Sequence, residues 1–201
     1  SIQMGGIQMM QSFPTWWTSF IPEMGILDLP FQFTDFAHVR RVTDSEVGER
    51  LAELVKERTG VTVLKWWPHG FRNMYTKRPI KKASDMAGLL IRVPGTPVYE
   101  RTFTLLGASP ISVPWPELYT ALQTGMVEAA EANLSGALAS GFADITDYVI
   151  KTGHIYTASF LVINDDFYSS LSKEHQKILL DAAAEAEAWL YEAIGKITEQ
   201  N

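Results

Sequence analysis

Apolar positions change their period repeatedly along this chain, and the changes predict alternating strands and helices. Ile2 to Met10 alternates between glycines and reads as a strand feeding a loop. Two short helices follow, one capped by Asp35 and one by Asp44 or Ser45. In the second, Val47, Leu51, Leu54 and Val55 form one apolar face and Gly60 marks the end. Val61 to Trp67 is rich in β-forming residues, and a strand that follows a glycine-terminated helix is the punctuation of an α/β fold. A further strand-like segment runs through Phe71 to Tyr75, followed by a basic surface turn with Ser84 as its cap. Leu89, Leu90, Ile91 and Val93 form a short strand. Thr96 and Pro97 then start a helix that Gly107 closes. Ala108 to Val113 gives another strand, and a helix with Pro116 in its first turn ends at Gly125. Met126 to Asn133 alternates as a strand, and Leu134 to Val149 reads as a moderately amphipathic helix. Thr157 to Asn164 is a strand, and Ser172 caps a long terminal helix striped by Leu179, Ala183, Ala186, Leu190, Ala193 and Ile197.

Composition narrows what such a fold can do. The 201 residues are 46% hydrophobic and 20% charged, enough for one large or two small cores. A net charge of −6, without runs of Lys or Arg, excludes nucleic acid as the expected partner. With no cysteine there are no disulfides and no thiolate chemistry. No stretch reaches the apolar length of a membrane span. The residues after Ser1 lack the pattern of a signal peptide, and a leader already removed gives the same picture. His38, His69, His154 and His175 are scattered without metal-ligand spacing, and no nucleophile elbow, P-loop or dinucleotide motif occurs. Nothing in the sequence supports an enzyme.

One residue breaks the pattern. Arg92 sits inside the apolar strand Gly88 to Val93, just ahead of a helix N-terminus, and a guanidinium buried there requires an anion. Either an internal Asp or Glu or a ligand carboxylate serves. A second arginine, Arg72, enters a strand twenty positions earlier. The rings Phe13, Trp16, Trp17 and Phe20 form either a core under a loop or an aromatic pocket wall, with Trp17 the candidate ligand contact. Glu128 and Glu131, three apart on a strand, face opposite sides and form no acid/base dyad.

The ordered motifs GFRN (70–73), RPI (78–80), DMAGLLIRVPGTPVYE (85–100), LGASP (106–110), PELYTALQTGMVE (116–128) and the following AAEAN resemble the substrate-binding protein of tripartite ATP-independent periplasmic (TRAP) transporters, the DctP family. The resemblance extends from ILDLPFQF (26–33) to LSKEHQKILLDAAAEA (171–186). It implies a two-lobed periplasmic-binding-protein-like α/β fold. Residues 1–69 and 158–201 make an incomplete first lobe with the long terminal helix, and 70–157 make the second lobe. An organic acid lies in the cleft, without chemistry. In this family the arginine of the R-V-P strand, here Arg92, pairs with the ligand carboxylate through both arms of its fork. The resemblance places Arg72 as a second contact to the anion and Trp115 as the pocket aromatic. Glu131 and Asn133 fall in the pocket segment.

Where sialic-acid-binding members read Q-E-N, this chain has Ala130, Glu131 and Ala132, with Asn133 one position on, which argues against a sialic acid. Glu128, Ala129 and Glu131 resemble a pattern that holds a cation beside the ligand, without the aromatic that follows it. The reading takes no cofactor. The resemblance further implies a periplasmic monomer, its signal peptide removed, that hands a carboxylate to TRAP permease subunits by hinge closure. The alternative is a periplasmic domain that reports a ligand to a signalling partner. The chain matches the family only after an opening strand and helix, so it is expected to be an incomplete copy.

Overall fold

Capping residues set the helix boundaries. The Asp35 carboxylate accepts from His38 N at 2.6 Å, and Ser45, rather than Asp44, caps the next helix by accepting from Val47 N. The computed structural model describes residues 1–200, with side chains through Ile197. In chain order its elements are β1 (Met9–Ser12), α1 (Phe36–Thr43), α2 (Glu46–Thr59), β2 (Val61–Thr76), β3 (Leu90–Val93), α3 (Pro97–Leu105), β4 (Ser109–Ser112), α4 (Leu118–Thr124), β5 (Ala129–Asn133), α5 (Leu134–Ala139), β6 (Tyr148–Asn164), α6 (Asp165–Ser170) and α7 (Lys173–Gln200). Among the described residues, 1–27, 33–70 and 157–200 gather into one compact unit, and residues 28–32 and 71–156 into another.

In the first unit β1 pairs antiparallel with β6, from Met9 opposite Ile163 to Ser12 opposite Phe160. Leu64, Ile163 and Ala183 form a core against which Leu161, Tyr168 and Leu179 pack. The predicted stripe of α7 is the face that supplies Leu179 and Ala183. Gly48, near the start of α2, has no room for a side chain: a Cβ would lie 1.9 Å from the Thr43 carbonyl oxygen. Alanine ordinarily stabilises a helix relative to glycine. Here Gly48→Ala is expected to destabilise by about 1–3 kcal/mol, as overpacking does, and to lower the melting temperature in a thermal denaturation experiment.

In the second unit the strand order is β2-β5-β3-β4, with β2 antiparallel to β5 and the β5–β3 and β3–β4 pairs parallel. Because side chains alternate along a strand, the two faces carry separate cores. Met74, Ile91, Val93, Tyr99, Phe103 and Ala129 pack on one. Tyr75, Val113, Leu118, Ala130, Ala132 and Phe142 pack on the other.

Five predicted features differ. Residues 2–5 form turns, and the first strand begins only at Met9. The strand predicted from Met126 begins at Ala129, because Gly125 at φ 79° ends α4 and a turn follows it. The helix predicted over 134–149 stops at Ala139 before Gly141, whose φ of 69° leaves the helical region. Its last residues, Tyr148 and Val149, belong to the 17-residue strand β6. Ser84 does not cap the turn at 83–86; the Asp85 carboxylate does, accepting from Lys81 N and Lys82 N. Pro68 and Gly70, which divide the sequence pattern, lie within one 16-residue strand, β2, with Gly70 at φ 123°.

Candidate functional site

Strand register places the two arginines of the second unit on opposite faces of its sheet. Arg72 lies opposite Asn133, and Arg92 lies beside Ala130. Positions 130 and 133 differ by an odd number, so these side chains point to different sides. Arg72 therefore shares its face with Met74 and Glu131, and Arg92 shares its face with Tyr75 and Ala132.

Arg72 is answered internally. Its Nε and Nη2 donate to the two carboxylate oxygens of Glu131, the Nη2 bond at 2.7 Å, and Nη2 also donates to the Glu131 carbonyl at 3.0 Å. Glu131 is fully buried. Beside the pair, His154 Nε2 lies 3.4 Å from the same carboxylate, and His154 Nδ1 is 2.7 Å from the Thr152 hydroxyl. The Arg72 guanidinium rests over the Tyr99 ring at 5.2 Å, and the Tyr99 hydroxyl donates to Asp28 at 3.4 Å. Burial alone would raise the Glu131 pKa, but the Arg72 charge and the bonds from His154 and Arg72 hold it below the usual carboxylate value. Burial alone would likewise lower that of Arg72, and the Glu131 carboxylate more than reverses this.

Arg92 is not answered in this way. It is 5% exposed and its Nε donates to the Val113 carbonyl at 2.8 Å, yet no carboxylate lies within ion-pair distance among the described residues. Its guanidinium sits over the Trp115 ring at 5.5 Å. Burial pulls its pKa down to about 10, Glu131 opposing and Arg72 adding to the shift. At neutral pH it remains a cation, desolvated and without a counter-charge. The two buried arginines thus differ: Arg72 holds an internal carboxylate, whereas Arg92 has the Val113 carbonyl and the Trp115 ring beside it.

Trp115 is 38% exposed, close to Arg92 and tilted against Phe142 at 5.6 Å. Asn133 closes β5 and its Nδ2 donates to the Ser135 hydroxyl at 2.8 Å. Trp17 belongs to the first unit, where it is buried, donates its indole N–H to Ser12 at 2.6 Å and packs on Phe160. The structure thus brings Arg92 together with Trp115 and Arg72 together with Glu131, and places Trp17 in a core setting. His154, Tyr99 and Asp28 escaped sequence reasoning. A lone histidine inside an apolar strand carries no spacing that marks it, and an aromatic at helical spacing reads as core.

Glu128 accepts from Leu90 N at 3.2 Å while Glu131 is held by Arg72, so the two members of the cation-like pattern serve different partners. No group of three metal-ligating side chains occurs among the described residues.

A family model for bacterial extracellular solute-binding proteins, family 7, matches residues 1–201. The 2,3-diketo-L-gulonate-binding periplasmic protein of Escherichia coli K12 is 34% identical over 183 residues, 90% of this chain and 56% of that protein. The C4-dicarboxylate-binding periplasmic protein of Rhodobacter capsulatus is 28% identical over 187 residues, 92% of this chain and 56% of that one. Among solved structures, a TRAP periplasmic solute-binding protein from Polaromonas sp. JS666 bound to D-erythronate aligns with a TM-score of 0.94 at 32% identity, covering 99% of this chain and 66% of that one. The sugar acid binding protein from Advenella mimigardefordensis in complex with galactonate gives 0.95 at 30% identity, covering 100% and 64%. The chain spans little more than half the length of these curated relatives. Matched over its whole length by the family model, it belongs to the DctP family of bacterial extracellular solute-binding proteins, the substrate-binding proteins of TRAP transporters.

Proposed function

We propose that this chain captures an organic acid outside the cytoplasm, holding the carboxylate at Arg92, and that the whole protein delivers it to TRAP permease subunits in the membrane. The observation that carries this reading is the buried Arg92 guanidinium without a carboxylate partner, next to a partly exposed indole. An incoming carboxylate would supply the missing counter-charge and use the two arms of the fork, a geometry that fixes orientation as well as charge. Arg72, whose fork is filled by Glu131, supports the site by its position and adds little net charge. Trp115 contributes an apolar wall that also faces the cation.

The family serves transport, and the relatives named above bind diketogulonate, C4-dicarboxylates, erythronate and galactonate, all of them organic acids; three of these four proteins are described as periplasmic. The ligand class proposed is therefore a small hydroxylated or dicarboxylic acid, bound and released unchanged.

A thermal-shift experiment separates acid from polyol. D-Galactonate, D-erythronate and C4-dicarboxylates are tested against galactitol and erythritol, which keep hydroxyls but lack the carboxylate. A specific acid at about a hundred times its Kd should stabilise the protein by about 2.7 kcal/mol, and the matching alcohol should not. Equal shifts with acid and alcohol, or none with any acid, would overturn the proposal.

A further inference from the structure

We propose that Gly136 is a positioning residue of the anion site: its bare Cα leaves the space in which the Asn133 carboxamide and the rim of the Trp115 indole come together. A Cβ built there would lie 2.7 Å from Asn133 Oδ1 and 3.7 Å from Trp115 Cη2. The first distance is too short for a carbon and an oxygen that are not bonded. The second is ordinary contact. The methyl group of an alanine would therefore act on Asn133 first, and Trp115 would bound the space left for it.

The consequence falls on the site more than on the fold. Gly136 lies inside α5, where alanine is the better helix former. The atom it would displace is the end of a side chain, which can turn without moving backbone. That side chain is only 4% exposed and is tied through Nδ2 to Ser135, so turning it breaks a defined orientation and not a loose one. A Cβ at the same position would also reach contact distance of the ring over which Arg92 sits at 5.5 Å. One missing methyl thus fixes the carboxamide at the end of β5 and keeps it next to the indole over the anchoring arginine. Such a carboxamide suits a hydroxyl or carboxylate oxygen of a small polar acid. This inference rests on the reading of Arg92 as the carboxylate anchor.

The test uses Gly136→Ala, Asn133→Ala and the double variant. Helix propensity and site geometry predict opposite signs. In Gly136→Ala the melting temperature without ligand should hold or rise, while the Kd for D-galactonate or D-erythronate, whichever binds the wild type more tightly, weakens about tenfold, the scale of one hydrogen bond. In the Asn133→Ala background the further substitution at Gly136 should change Kd by no more than about twofold, because the displaced group is gone. The ligand-free Gly136→Ala protein should also show shifted NMR resonances for the Asn133 side-chain amide and the Trp115 indole N–H. An unchanged Kd, or an unshifted Asn133 amide, would overturn the inference. So would a weakened Kd accompanied by a lowered melting temperature, which would make the role structural. If the wild type binds no acid at all, the reading of Arg92 fails, and a shift of the Asn133 amide then leaves Gly136 with local packing alone and overturns its role in the site.

Discussion

Arg92→Ala should abolish capture of the acid, with calorimetry showing a loss of about 2–5 kcal/mol for the ligand that binds best, because the ligand carboxylate is then buried without its counter-charge. Arg92→Lys should fail in the same assay. It keeps the charge but loses the planar fork. The stability of the ligand-free protein should move the other way. Arg92→Met keeps most of the volume and removes a buried cation that has a carbonyl and an indole for company but no carboxylate, so its melting temperature should hold or rise. A site arranged for binding surrenders stability where the ligand will later restore it. Arg92→Ala binding within about threefold of wild type, a difference worth about 0.7 kcal/mol, would refute the assignment.

Glu131→Gln should have the opposite profile, a large loss of stability before any ligand is considered. The substitution keeps the shape and leaves the Arg72 guanidinium buried against a neutral amide, which costs about 3–5 kcal/mol, or roughly 6–20 °C in melting temperature for a domain of this size. Replacing both partners, Arg72→Met with Glu131→Leu, should recover most of the loss, since no charge is then left unanswered. The pair also makes stability depend on acid. The folded Glu131 pKa lies below its ordinary value of 4.5, so its contribution is fully present above that pH and is lost as the pH falls through the folded value. Wild type should therefore lose stability below about pH 4.5 more steeply than the double variant. Thermal denaturation from pH 7 down to pH 3 measures both effects, and a Glu131→Gln protein as stable as wild type at pH 7 would sink the argument.

The strand, turn and helix around Arg92 were legible because each carries its own local signal: apolar residues, then Pro94 and Gly95, then Pro97 at the start of α3. The identity of the arginine that keeps an internal partner was not legible. It depends on register between β2 and β5, and a slip of one residue would move Arg72 to the other face of the sheet and away from Glu131. Glu128 falls ahead of β5 and not within it, so strand period does not set its side, and the engagement of Glu131 by Arg72 requires knowing that β2 and β5 are neighbours. The same limit hid His154, which reaches Glu131 from β6, and Asp28, which reaches Tyr99 from a five-residue segment far away in sequence. The pattern over 134–149 has helical spacing, and a stop at Gly141 was all that divided a helix from the strand after it. Trp17 shows the same ambiguity from the other side. A ring beside other rings looks like a wall, and in the first unit it packs on Phe160.

The pairing of β1 with β6 bears on the order in which the chain can assemble. Gln11 and Ser159, whose side chains meet across these strands, lie 148 residues apart. In the second unit, by contrast, the parallel pair β3 and β4 is joined through the single helix α3. Closing the longer loop costs more chain entropy, so the β1–β6 pairing is expected to form after the β3–β4 pairing. During synthesis from the N-terminus, Met9 to Ser12 cannot make this pairing until Phe160 to Ile163 have been made.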